Sequence, residues 1–216
     1  MHMLKGRYVD TMQGLAAWGP LAQFGQSATA GSPYGWRRWA ASLLAIYDTG
    51  RMVELDLPWW NVAATREVER FLAARPGARV FEWGAGASTV WLARRATEVI
   101  SVEHDADWLG KFEVQTEPFD NVRLMHRSIE TSSYVDAIAE CSDPFDLIVV
   151  DGRQRVSCLE KAKARLVPNG AILFDDSGRS RYRAGIESCG LNERHFHGRS
   201  FCVPYPDHTS LLVRHG

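Results

Sequence analysis

No stretch of this sequence is long and apolar enough to cross a bilayer. The longest apolar run, Trp39 to Tyr47, spans nine residues, where a membrane helix needs about 20. Residues 1 to 20 carry no continuous hydrophobic region followed by a small-residue cleavage site, so a cytoplasmic location and no membrane partner are expected. Neither sign of charge is in excess: 25 Lys and Arg face 26 Asp and Glu, a net charge of −1. That balance excludes a global field drawing the chain onto nucleic acid or an anionic membrane, so any anion recognition must be local. A helix-turn-helix, an RNP-like aromatic set and a basic stripe are all missing, which disfavours a nucleic-acid partner. Cysteine is sparse. Cys141, Cys158, Cys189 and Cys202 form no CxxC pair and sit in segments that otherwise read as helix or strand, so reduced, buried thiols are expected.

What is present suits a folded core: 45% hydrophobic and 24% charged residues is close to the globular average. The length of 216 residues fits one domain with an extension, read here as residues 1–60, containing a helix, and a domain over 61–216. Met1 to Tyr34 reads as irregular, with a turn-rich run from Gly25 to Pro33, and so as a lead-in or a lid. Apolar spacing predicts helices over Arg37–Thr49 and Val62–Ala74. Leu57-Pro58-Trp59-Trp60 between them is an aromatic pair on a loop, expected to pack against the domain, with substrate contact as the alternative. From Ala78 short apolar runs alternate with helical patterns, placing strands at 78–82, 98–103, 121–126, 145–151 and 170–175. This is an α/β pattern, a parallel sheet covered on both faces, whose ligands bind at the carboxyl ends of the strands. Glu193–Phe201 and Thr209–Arg214 leave no room for a crossover helix and are expected to form an antiparallel pair at one edge.

The first strand runs into Glu82-Trp83-Gly84-Ala85-Gly86-Ala87-Ser88-Thr89, where two glycines allow a sharp turn and close ligand approach, and a hydroxyl residue can cap the next helix. A dinucleotide fingerprint would need a third glycine where Thr89 stands. Glu82 would also repel a diphosphate, and favours a ligand that is cationic at that end. Glu103 lies nineteen residues after Gly84 at the end of the second strand, where a carboxylate can accept both hydroxyls of a ribose.

Together these motifs resemble the class I S-adenosylmethionine (SAM)-dependent methyltransferases over about residues 60 to 214. The resemblance also takes in Phe145–Gly152, Leu166–Asp176, similar to the "LxPGG" turn into a fifth strand, and the terminal strand pair. It implies a three-layer α-β-α Rossmann-like fold, mostly parallel with one antiparallel edge strand, in the order 3-2-1-4-5-7-6. It further implies that SAM is held by Glu82, Trp83, Gly84, Gly86, Ser88, Thr89, Glu103, His104 and Asp151, with Ser128 and Ile129 flanking the adenine. The implied activity is O- or N-methylation of a small molecule, residues before about 60 helping to close over the acceptor. Two other readings stay open: a module of this fold that binds without turnover, and an NAD(P)-dependent oxidoreductase.

Methyl transfer from a sulfonium is an in-line displacement, catalysed largely by alignment, with a base needed only if the acceptor must lose a proton. Asp151 ends strand 4 beside the implied methyl position and is the first candidate for the catalytic residue; capping the next helix or pairing with Arg153 or Arg155 is its alternative role. Asp175 and Asp176 end strand 5 and with Asp151 would gather three carboxylates suited to a hard cation. The set is similar to that of metal-dependent catechol-type O-methyltransferases, but the pair is Asp-Asp rather than Asp-Asn. The following loop, Gly152-Arg153-Gln154-Arg155, also lacks those enzymes' lysine, so a divalent metal is not favoured. Arg153, Arg155, Arg179, Arg181 and Arg183 follow strands 4 and 5, and suit an anionic acceptor unless they pair with the carboxylates or face solvent. His195, His197 and His208 lack a closed ligand set and read as exposed polar positions.

Overall fold

Alternation along the strands sorts the apolar residues into two cores, one on each face of a seven-stranded sheet. The computed structural model describes residues 2–214, with side chains from Gly6 onward. Phe81 and Trp83 of β1 (Arg79–Trp83) share a cluster with Ile100 and Val102 of β2 (Glu98–Glu103). Ile148 and Val150 of β4 (Phe145–Val150) and Ile172 and Phe174 of β5 (Leu166–Asp175) complete it. Val80, Val99, Leu147, Val149 and Leu173, one residue out of step, form the other. Helices α8 (Ser133–Asp136), α9 (Arg155–Ala164) and α10 (Ser180–Ser188) cover the first face. Helices α5 (Val62–Ala73) and α6 (Ala87–Ala93) cover the second, giving three layers.

The strand order is β3-β2-β1-β4-β5-β7-β6, with β3 at Val122–His126, β6 at Asn192–Arg199 and β7 at Pro206–Val213. The pairs among β1 to β5 are parallel, so their carboxyl ends share one rim. β7 is antiparallel to both neighbours, one strand in from the edge strand β6. The expected turn before strand 5 is absorbed into the strand: β5 starts at Leu166, and its register on β4 shifts between Phe145 and Leu147.

The irregular reading of Met1–Tyr34 is corrected by the structure, which has α1 (His2–Ala17), α2 (Gly19–Ser27) and a 3-10 turn at Ala28–Ala30. Tyr8, Val9 and Met12 of α1 and Phe24 of α2 pack on a third cluster with Ala28, Ala41, Met52, Leu57 and Phe201. Packing on a surface distant in sequence overrides the weak local pattern. The helix expected over Arg37–Thr49 is split. α3 (Trp36–Leu43) ends before Tyr47, which takes a left-handed φ of 58°, and Asp48 caps α4 (Thr49–Glu54) by accepting from the Arg51 amide.

Arg38 ties this N-terminal cap together. It is 6% exposed and donates to the carbonyls of Ala28, Thr29 and Leu55. Replacing Arg38 with Ala strands the Leu55 carbonyl, removes a donor from those of Ala28 and Thr29, and should cost about 3 kcal/mol in chemical denaturation. Limited proteolysis should then cut first before Gly35.

Candidate active site

The cleft floor is made where two strand-end loops touch. Gly84, after β1, has φ of 102°, and a Cβ there would lie 2.8 Å from the Gly152 backbone nitrogen. Only glycine meets both demands. A Cβ on Gly152 would in turn collide with the Tyr134 hydroxyl. The Asp151 amide donates to the Trp83 carbonyl at 3.0 Å, extending the β1–β4 pairing into these loops. Gly86 is extended, and its amide donates to Thr89 Oγ1 at 3.0 Å.

Behind the turn Glu82 is fully buried and accepts from Ser88 Oγ at 2.5 Å, Thr89 Oγ1 at 2.6 Å and Ser101 Oγ at 2.6 Å. Burial raises its carboxyl to about 7 against the pull of these hydroxyls. Trp83 is also in the core, donating from Nε1 to the Tyr134 carbonyl at 2.8 Å. Glu82, Trp83 and Thr89 thus shape the loop from behind and stand off the cleft. The loop after β3 is off it as well: Ser128 is exposed and accepts from the Glu130 amide, while Ile129 packs on the core.

The cleft itself holds about 910 Å³. It brings together Gly84, Gly86 and Ser88 with Glu103, His104, Asp151, Arg153, Arg155, Asp175, Asp176 and Arg179. Glu103 is 4% exposed, and its Oε1 accepts from the amides of His104 (2.7 Å) and Asp105 (3.0 Å). No hydrogen bond engages Oε2 among the described residues. His104 Nδ1 also lies 2.5 Å from Glu103 Oε1, in an alignment that makes no hydrogen bond. Tyr8, Tyr47, Trp108, Val203 and Tyr205, which the sequence reading did not single out, form the far wall together with Trp59 of the aromatic pair. Trp108 Nε1 donates to the Ala85 carbonyl at 2.8 Å, and Tyr47 meets Trp59 edge-on at 4.8 Å. Their only sequence signal is aromatics in loops and cap helices.

Arg155 sits among the three rim carboxylates. It is 8% exposed, 2.9 Å from Asp151 Oδ1 and 3.0 Å from Asp176 Oδ2, with Asp175 at 3.8 Å. Its guanidinium fills the space a cation would occupy, and no group of His, Cys, Asp or Glu spaced for a metal occurs among the described residues. Trp60, fully buried, donates from Nε1 to Asp151 Oδ2 at 3.1 Å, which satisfies its indole N–H. Burial raises the Asp151 carboxyl to about 7; Arg155 opposes the rise and Asp176 adds to it. Burial and Asp151 hold Asp175 well above the ordinary carboxylate range.

The expectation that five arginines surround the acceptor side is corrected. Arg155 is committed to carboxylates, and Arg183 turns away to Glu193 and Glu187. Arg179 pairs with Asp176 at 2.7 Å yet borders the cleft, while Arg181 lies in an adjoining hollow. His208 stacks between His195 and His197, with centroids 5.0 and 4.1 Å away.

A carboxyl whose folded pKa is raised contributes stability that is complete below its unfolded value and lost as pH climbs through the folded one. For Asp151 that window runs from the ordinary 3.8 to about 7, and for Asp175 it extends upward from 3.8. The neutral Asp175→Asn should therefore flatten the fall in Tm as pH rises above about 4 relative to the parent protein. A melting series over that range checks it.

Residues 81–177 match a family model described as a methyltransferase domain. No curated protein sequence matches this chain. Among solved structures, a protein from Klebsiella pneumoniae proposed to be an O-methyltransferase is 22% identical with a TM-score of 0.58, over 84% of this chain and 91% of that one. A proposed methyltransferase from Streptococcus mutans in complex with SAH is 14% identical, TM-score 0.52, over 69% and 97%. An rRNA methylase from Streptococcus thermophilus is 15% identical, TM-score 0.53, over 69% and 95%. At such identities the likeness to these structures is one of fold.

Proposed function

We propose that the chain is a class I SAM-dependent methyltransferase and that it methylates an oxygen or nitrogen of a small, anionic acceptor bound in the cleft. The observation that carries this reading is the joint presentation of the Gly84 turn and the uncommitted Glu103 Oε2 to one cleft that also contains Asp151. The residues fit the cofactor. Gly84 lets backbone approach a ligand closely, Glu103 Oε2 can accept ribose hydroxyls, and His104 and Trp108 stand alongside. When bound, SAM supplies an electrophilic methyl group.

Asp151 is held from both sides, Oδ1 by Arg155 and Oδ2 by Trp60, so its carboxylate is fixed in direction. A carboxyl raised to about 7 is matched to taking up an acceptor's proton near neutral pH. The aromatic wall and the N-terminal helices are the lid in this reading, excluding water and aligning the acceptor. Arg153 and Arg179 then face its anionic part. One observation favours binding without turnover instead: both Asp151 oxygens already have internal donors. SAM consumption by the parent protein, abolished in Asp151→Asn with cofactor affinity retained, supports catalysis.

Calorimetry with SAM and with S-adenosylhomocysteine is the direct test, run with and without magnesium. Glu103→Ala should weaken both ligands by roughly tenfold or more, since it removes charge-assisted bonds to two hydroxyls. Magnesium should leave the isotherms unchanged. Absence of binding by the parent protein would refute the assignment.

A further inference from the structure

Beside the main cleft lies a second hollow of about 490 Å³, between the starts of α9 and α10. It shares Gly152, Arg153, Arg155 and Arg179 with the cleft, so the two adjoin. Four arginines line it, and no carboxylate does. In a chain of net charge −1 this is a local concentration of one sign. Arg155 and Arg179 are partly neutralised by the rim aspartates. Arg153 and Arg181 have no carboxylate at salt-bridge distance among the described residues. Arg181 Nη2 donates to the Tyr182 hydroxyl at 2.8 Å, and its guanidinium lies 4.7 Å from that ring's centroid. Arg155 lies 5.7 Å from the same centroid. Tyr182 therefore holds two guanidinium groups beside the hollow. The N-cap residues of both helices, Gln154 and Arg179, make no side-chain cap bond. The Tyr182 amide is taken by the Arg179 carbonyl at 2.9 Å, while the positive ends of both helices face the same space.

We propose that this hollow binds the phosphate of a phosphomonoester acceptor, whose methylated end reaches from there into the main cleft. The proposal rests on the methyl-transfer reading and specifies its acceptor. A phosphate dianion matches two unpaired guanidinium groups in charge and offers the oxygens that forked N–H donors engage. A small acceptor is favoured over nucleic acid because the chain carries no basic stripe to follow a backbone.

The test titrates the full chain with phenyl phosphate, with phenol and with a short oligoribonucleotide, each with and without S-adenosylhomocysteine. Phenyl phosphate should bind saturably and phenol should not. Arg181→Glu should weaken phenyl phosphate by roughly tenfold or more and leave S-adenosylhomocysteine affinity unaltered. Arg181 is exposed, and among the described residues its side chain hydrogen-bonds to Tyr182 alone, so the variant is expected to keep the parent Tm. Arg153→Ala should weaken phenyl phosphate in the same direction. Undiminished phenyl phosphate binding in Arg181→Glu, or none in the parent protein, overturns the proposal. So does oligoribonucleotide binding that is tighter than phenyl phosphate and falls steeply with salt. Loss of S-adenosylhomocysteine binding alone would instead defeat the methyl-transfer reading, since the arm without it still reports on the hollow.

Discussion

Three carboxylates converge at the carboxyl ends of β4 and β5, and a single buried guanidinium, that of Arg155, allows them to do so. Its donors also reach the backbone carbonyls of Asp151, Gly152 and Asp175. One side chain thus clamps the loop after β4 to the loop after β5. Without that charge, three neighbouring carboxylates in a water-poor rim would repel one another and resist ionisation. Even with it, Asp151 and Asp175 remain raised above the ordinary range. The cluster is charge-compensated without being neutral, which leaves the cleft floor acidic on one side of Arg155 and the hollow basic on the other.

The second constraint is steric. Gly84 and Gly152 approach so closely that the turn after β1 leans on the loop carrying Asp151. The buried hydroxyl set around Glu82 supports that turn from below, joining β1, β2 and α6 through one carboxylate. Glu82 therefore acts on the loop's shape, while Glu103, one strand over, presents its free oxygen to the cleft. Two acidic strand ends, similar in sequence, have different tasks because one points into the core and the other to the rim.

The N-terminal segment completes the cleft from outside the sheet. Its helices pack on the third cluster and bring Tyr8, Tyr47 and Trp59 opposite the strand ends. Trp60, next in the chain, turns inward to Asp151. Adjacent tryptophans thus divide between wall and floor, coupling the cap to the carboxylate at the centre of the site.

The sheet was legible in the sequence by itself. Short apolar runs alternating with helical spacing placed β1 to β4 within a residue or so, because strands covered on both faces are apolar on both sides. The glycine turn, Glu103 and Asp151 were legible too, since strand ends carry ligand loops in this architecture. The N-terminal helices were not. Their stability comes from a surface assembled out of Phe201, Leu57 and Met52, which no local window contains. Nor could the linear pattern tell Glu82 from a ligand contact, or Arg155 from an acceptor contact. Each role depends on which partners the fold brings within 3 Å. Composition and periodicity determine the layers and the rim; only the folded chain decides which charges at that rim are spent on one another and which stay free for a ligand.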